Sequence, residues 1–469
     1  MSLPASENID MAESRCYNIT VYYICLVAAL GGLLFGLDQG FIANSLDTIR
    51  DVYHLDIAGG GKYSAMLATG GVIGAALSGV FARVFGRKKS LMLAGFIFSL
   101  ASLFSAFLPS LVMLNACRFF LGFGVGVSSF VVPLYLSETT PAAIRGSMGT
   151  LFQLMITIGI LLISITNVFI ARTFITPTVA LPLMFLVITL FAILMFIGSF
   201  MLPESPRWLM LKGKKSEALN TLKRIFGSQD EIDTEVKEIE ATLSATKKVG
   251  ISVVFKGYFL KVLFIGVFLQ IFQQLVGINA IIYYAPTIFG YAGMQGIVAL
   301  LAVPVVNMIF TLPAIRLVEK WGRKKLLYVG AVFMLITMLA AGLVFQHIGN
   351  VADAAVVSDG SKMVLLATVI IYIFGFAVSW GPVVWIVCSE IFPLKGREIG
   401  MTITTIVNWT FAGILMRYAL SFMEVFGKAP LFYVFALFCM IAIIFVALFV
   451  PETKGVTLEQ LESRLTAKK

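Results

Sequence analysis

The sequence predicts an all-α membrane protein: twelve transmembrane helices in two parallel-repeat six-helix halves, with short cytoplasmic helices between the halves and at the C-terminus. Three observations carry this. Hydrophobic residues make up 59% of the 469 and charged residues only 13%, against about 45–50% and about 25% in soluble domains. So few charges cannot cover a water-facing surface, which excludes disorder, a coiled coil and a soluble enzyme. The second observation is a series of uncharged stretches long enough to cross a bilayer. The third is a set of short motifs that recur in order in the two halves.

A spanning helix needs about 20 apolar residues. Stretches free of Asp, Glu, Lys and Arg run 19–37, 63–82, 146–171, 173–203, 326–352, 363–389, 399–416 and 429–451. Residues 90–137 hold one charge, Arg118, and turn near Pro109-Ser110, while 262–315 hold none and break around 290–296. Each of these two divides, giving twelve spans and placing both termini on one side. Basic residues mark the cytoplasmic face. They crowd the side carrying Arg15, 83–89, Arg145, 207–261, 316–325, Lys395, Arg397 and the tail. The other face receives only Arg50, Lys62, Arg172, Lys362 and Lys428, and Arg118 and Arg417 stay within spans. Topology in a cell membrane thus explains the net charge of +10, and no nucleic-acid partner is expected.

The expected divisions are a cytoplasmic N-terminus (1–18), a first half (19–203), a cytoplasmic helical linker (204–256), a second half (257–451) and a cytoplasmic tail (452–469). In the linker, residues 216–219 and 232–243 show helical apolar spacing with charges between, and 457–465 repeat the pattern in the tail. Cys16, Cys25, Cys117, Cys388 and Cys439 show no metal or disulfide spacing. No metal or cofactor is called for, and no nucleophile–base pair suggests an enzyme. Glu7, Asp10 and Glu13 make the N-terminus unlike the basic start of a signal peptide. Asn18-Ile19-Thr20 matches a glycosylation pattern on the cytoplasmic side, and His54 and His347 fall in outer loops.

The repeat is read from three pairs. Gly86-Arg87-Lys88-Lys89 returns as Gly322-Arg323-Lys324-Lys325. Ser137-Glu138 with Pro141 and Arg145 returns as Ser389-Glu390 with Pro393 and Arg397. Pro203-Glu204 returns as Pro451-Glu452. Each follows the second, fourth or sixth span of its half. Parallel halves of this kind point to a transporter whose site lies between them near mid-bilayer.

Two sets of polar residues fall at that depth. Gln270, Gln273 and Gln274 lie at i, i+3 and i+4 and share one face of span seven. Amides in a bilayer face either a cavity or a partner helix, so they line a site or act as interhelical glue. Gly277 before Asn279 suggests local unwinding, which is tolerated where backbone lines a cavity. Asp38 and Arg118 each cost about 2.5–3.5 kcal/mol at depth, so both face inward and pair. Such a pair is either a proton site or a static structural bridge.

The motifs resemble those of the major facilitator superfamily, and within it the sugar porters, over nearly the whole chain. They are Gly31-Gly32-Leu33-Leu34-Phe35-Gly36 with Asp38, Arg118 with Gly122, Gly124 and Gly126, and Pro203-Glu204-Ser205-Pro206-Arg207-Trp208-Leu209. Gln273-Gln274-Leu275-Val276-Gly277-Ile278-Asn279 with Tyr283-Tyr284, Gly381-Pro382 with Trp385, and Pro451-Glu452-Thr453-Lys454-Gly455 complete the set. The resemblance implies proton-coupled transport of a monosaccharide by a monomer, with a facilitative uniporter or a sugar sensor as alternatives. It implies sugar contacts from Gln153, Gln273, Gln274, Asn279, Asn307, Trp385, Asn408 and Trp409, with Phe35 and Tyr283 closing the site. A sugar needs amides, which donate and accept, and an aromatic plane. Ile160 stands where some pentose-accepting relatives carry glutamine, which leans toward a hexose such as glucose.

By the same resemblance Asp38 carries the proton and Arg118 tunes it. Arg87, Glu138, Arg145, Glu204 and Arg207, with Arg323, Glu390, Arg397 and Glu452, form a cytoplasmic charge latch that pairs when the site opens outward. Two residues depart from the family pattern. Arg83 stands where an acid is usual, whereas Glu319 keeps it in the second half, and Glu398 replaces a glycine. Both point to a weakened or rewired latch.

Overall fold

A computed structural model describes residues 19–174, 176–246, 257–349, 357–392 and 396–454. Cys16, Asn18, Pro393, Lys395, Gly455 and the expected tail helix at 457–465 lie outside the described residues, as do the side chains of Arg145 and Glu319. Every regular element among those described is helical. The first half holds α1 (Ile19–Tyr53), α2 (Ile57–Val84), α3 (Arg87–Ala106), α4 (Leu111–Thr139), α5 (Ala142–Thr173) and α6 (Pro177–Met201). Three short helices follow: α7 (Pro206–Leu211), α8 (Lys215–Ile225) and α9 (Gln229–Thr246). The second half holds α10 (Gly257–Leu275), α11 (Ile278–Tyr291), α12 (Ile297–Trp321), α13 (Arg323–Gly349), α14 (Asp359–Gly375), α15 (Gly381–Ile391), α16 (Arg397–Phe426) and α17 (Lys428–Leu448).

Among the described residues, twelve helical runs are long and apolar enough to span a membrane, as the charge-free stretches predict. Span seven is α10 plus α11, and span ten is α14 plus α15, joined by a π-helical turn at Phe376–Trp380. Span one runs well beyond residue 37, to Tyr53, because its buried Asp38 does not end the helix. His347 sits in the last turn of α13 rather than in a loop. The linker forms its two expected helices, α8 and α9, and a further one, α7. Helix α7 starts with Pro206 in the first turn and Ser205 capping the Trp208 N–H. The buried Ala218, Leu222 and Ile225 form the apolar stripe of α8.

Packing repeats between the halves. Spans one and five, two and four, and three and six pack together as α1 on α5, α2 on α4 and α3 on α6. Spans seven and eleven, eight and ten, and nine and twelve do the same as α10 on α16, α12 on α14 and α13 on α17. The halves meet through α2 against α16 and α5 against α12. Helix α1 approaches α5 through glycines at i, i+4 spacing: a Cβ at Gly32 would stand 2.6 Å from the Phe152 carbonyl oxygen, and one at Gly36 would collide with Ile156. Small residues at this spacing bring membrane helices close, and here they seat Asp38 against the interior.

Candidate substrate and coupling site

The break in span seven builds the site. Gly277 takes φ +101°, and a Cβ there would lie 2.5 Å from the Phe435 ring, so both the backbone and its neighbour demand glycine. The break turns α11 so that Asn279 reaches back to α10, where its Nδ2 donates to Gln274 Oε1 at 2.5 Å. An unbroken helix would have aimed Asn279 elsewhere.

From there a chain of amides runs through the centre. Gln274 Nε2 donates to Asn408 Oδ1 at 3.2 Å. Asn408 Nδ2 donates to Gln270 Oε1 at 2.6 Å and to Gln273 Oε1 at 2.7 Å. Gln273 Nε2 donates to the Trp380 and Gly381 carbonyls at 2.8 and 3.3 Å. Those carbonyls belong to the π-helical turn and the residue after it, where the regular ladder is disturbed. All five amides are buried. The three glutamines thus share a face, as their spacing predicts, and Asn408 on α16 is the hub that ties them together.

At its other end the chain crosses to the first half. Gln39 Nε2 donates to Asn279 Oδ1 at 3.3 Å, and Gln39 is itself buried. Sequence reasoning missed this residue. The available signal was an amide in a spanning helix, which is costly unless partnered, directly after the spanning acid. Asp38 and Arg118 pair, and both side chains are 0% exposed. The Arg118 guanidinium also lies over the Tyr63 ring, 5.5 Å from its centroid. Asp38 Oδ2 and Arg118 Nε and Nη2 are buried without a partner.

The aromatic residues divide. Phe35 and Trp409 meet across the halves with ring centroids 5.1 Å apart. Trp409 Nε1 and Tyr283 Oη are buried and form no hydrogen bond among the described residues. Trp380 is locked, its indole N–H on the Leu327 carbonyl at 2.9 Å, whereas Trp385 on α15 stays partly exposed. Gln153 on α5 is partly exposed and Asn307 on α12 is buried, on the two helices that pack across the halves. No hydrogen bond joins Gln153, Asn307 or Trp385 to the amide chain among the described residues.

The charge clusters lie at the end of the bundle that carries the linker. In the first half, Arg87 grips Glu138 with Nε and Nη2, each at 2.8 Å, and Ser205 Oγ donates to Glu138 at 2.5 Å. Glu204 accepts from the backbone N–H groups of Arg87, Lys88 and Ser205 at 2.9, 3.2 and 2.9 Å. Burial pushes the Glu204 carboxyl above its ordinary value, against the pull of those donors. In the second half, Arg323 pairs with Glu390 at 2.8 Å, Thr453 donates to Glu390 at 2.5 Å, and Glu452 caps Arg323 and Lys324 at 2.9 and 3.1 Å.

These pairs form within each half. Across the halves the bridge is made by the two departures from the family pattern: Arg83 reaches Glu398 at 2.9 Å, with Arg87 3.7 Å from the same carboxylate. Arg207 turns instead to Glu235 on α9 at 3.4 Å, and Arg397 Nε is buried without a partner.

Twelve spans in two parallel halves, with polar side chains converging between them, define a membrane transporter of the major facilitator fold. Residues 24–465 match the family described as Sugar (and other) transporter, and the chain belongs to it. It is 38% identical over 460 residues to a galactose-proton symporter of Escherichia coli K12, covering 97% of this chain and 96% of that one. It is 35% identical to a D-xylose transporter of Levilactobacillus brevis, covering 96% of this chain and 97% of the relative. The solved proton:xylose symporter XylE bound to 6-bromo-6-deoxy-D-glucose superposes with a TM-score of 0.82. Its identity is 32%, over 95% of this chain and 99% of that one.

Proposed function

We propose that the protein moves a monosaccharide, a hexose such as glucose, across the cell membrane together with a proton by alternating access, as a monomer with both termini cytoplasmic. In this reading the halves 19–203 and 257–451 rock about the central site, linked by 204–256. One observation carries it: a fully buried carboxylate–guanidinium pair stands one residue from an amide that bonds the opposing half. Protonating Asp38 would break its ion pair and leave the Arg118 guanidinium uncompensated, which favours a state in which Arg118 finds another partner or water and so couples the proton to the passage between states. The buried amides and the Phe35–Trp409 pair offer the donors, acceptors and aromatic surface that a sugar ring needs. Relatives of this chain are named for galactose and for xylose, and Ile160 inclines the reading to a hexose.

The test is uptake of radiolabelled glucose, galactose and xylose into proteoliposomes with and without an inward proton gradient. Accumulation of a hexose above equilibrium, abolished by a protonophore, is the expected result. Equilibration indifferent to the gradient would establish a uniporter. Accumulation of xylose alone would overturn the hexose assignment.

A further inference from the structure

At the end of the bundle away from the charge clusters, a groove of about 620 Å³ opens between α2, α4 and α16, lined by Lys62, Met66, Thr69, Asn115, Phe119 and Arg417 among others. Its mouth is apolar: Val112 and Phe120, which also line it, are 81% and 50% exposed. Arg417 is one of the two basic residues that the topology leaves inside spans, and unlike Arg118 it has no acid. Its Nη1 donates to the Ala58 carbonyl at 2.7 Å and its guanidinium lies 5.3 Å from the Tyr418 ring centroid. Lys62 is four residues beyond Ala58, on the same face of α2, so the two cations are neighbours. Neither forms an ion pair among the described residues, and no Asp or Glu lines the groove. The nearest acids along the two helices do not reach them: Asp56 caps α2 through the Gly59 N–H at 2.6 Å, and Glu424 bridges neither cation.

We propose that this groove is a binding site for an anionic phospholipid. Two uncompensated cations at the membrane boundary attract a phosphodiester, and Asn115 supplies a neutral donor beside them. Met66, Phe119 and Phe120 give an acyl chain an apolar wall, from which a free phosphate gains nothing. Helix α2 belongs to the first half and α16 to the second, so a headgroup seated on Lys62 and Arg417 ties the halves together at this end. It favours the state in which that end is shut.

The experiment titrates delipidated, detergent-purified full-length protein with phosphatidylglycerol or phosphatidylcholine and counts bound lipid by native mass spectrometry. Wild type is expected to retain phosphatidylglycerol over phosphatidylcholine by about tenfold. The Lys62→Gln/Arg417→Gln double variant should lose the preference. Lys428→Gln should keep it, because Lys428 sits over the Tyr291 ring, outside the groove. Ala65 also lines the groove, so Ala65→Trp fills it with both cations in place and should lose the preference too, which decides the matter if the double variant does not fold. Equal retention of the two lipids by wild type, or an unchanged preference in Ala65→Trp, overturns the site. Competition by millimolar inorganic phosphate would make it a site for a free anion and overturn the lipid assignment.

Discussion

At their charged ends the two halves repeat one another almost bond for bond. Glu204 caps the start of α3 and Ser205 braces Glu138, just as Glu452 caps the start of α13 and Thr453 braces Glu390. At mid-membrane the polar groups of the halves differ. The first half holds an ion pair, Asp38 with Arg118, and the second holds Gln270, Gln273, Gln274, Asn279 and Asn408. The ends keep the old symmetry because each cap satisfies the orphan N–H groups at the start of a long helix. In the proposed function the divergence separates labour: the first half titrates, the second supplies most of the amides, and Gln39 and the Phe35–Trp409 contact join the two.

The largest expected effect tests that separation. Asp38→Asn mimics the protonated acid and should abolish accumulation under an inward proton gradient while leaving sugar exchange by counterflow intact. If the variant still concentrates sugar, Asp38 is a structural partner and coupling lies elsewhere. Arg118→Ala, by contrast, strands a buried carboxylate at a cost of about 3–5 kcal/mol. It should lower thermal stability as well as transport.

On the recognising side, Asn408→Ala removes the hub and leaves three glutamines short of partners, each worth about 1–3 kcal/mol when buried. The half-saturation concentration for sugar should rise by tenfold or more, and more than for Gln153→Ala, which breaks no bond in the chain. Equal losses at the two positions would show that the amide chain is packing rather than site. Trp385→Ala should weaken affinity less, by about 0.5–1.5 kcal/mol if its partly exposed ring stacks on the sugar. Unchanged affinity in a folded variant would remove Trp385 from the site.

The sequence discloses those features that repeat with a period or break a rule of the bilayer. Charge-free runs give the spans. The i, i+3, i+4 spacing gives the glutamine face, and the paired motifs give the two halves. Gly277 is visible because a glycine before a polar residue inside a span has few other uses. What stays hidden depends on distant contacts. Nothing local marks Asn408 as the hub of three glutamines on another helix. Gln39 hides beside Asp38, whose charge draws the attention, and its partner lies in the other half. The unpaired Arg417 is plain in the sequence, but its groove exists only once α2 meets α16.

Gln39 is the thread by which the comparison can be sharpened. Gln39→Leu keeps the ion pair and the whole second-half chain but cuts the hydrogen bond from Gln39 to Asn279 that joins the halves here, a neutral bond of about 1 kcal/mol. Sugar affinity should fall a few-fold, and its dependence on pH should flatten, since protonation at Asp38 no longer reaches Asn279 through this contact. A fall in affinity with an unaltered pH profile would make Gln39 an ordinary packing residue.

The smallest effect is expected at Arg83 and Glu398, where the ends themselves depart from symmetry. Their side chains are 71% and 41% exposed, and pairs of that kind are worth about 0–1 kcal/mol. Arg83→Glu should therefore leave folding untouched and shift the balance between inward- and outward-open states by no more than about fivefold. The shift would appear as opposite changes in half-saturation concentration measured from the two sides, in right-side-out and inverted vesicles. Arg83→Glu with Glu398→Arg restores the attraction with its polarity exchanged and should return both values toward wild type. High salt should erase the difference between wild type and Arg83→Glu, because exposed charges are screened within about 3 Å at 1 M. Persistence of the difference at high salt, or failure of the exchanged pair to rescue it, would show that Arg83 does not act as a bridge to Glu398. Trp208 Nε1 donates to the Arg83 carbonyl at 3.0 Å, and that bond survives any change of side chain. The charge swap therefore isolates the bridge from the backbone that carries it.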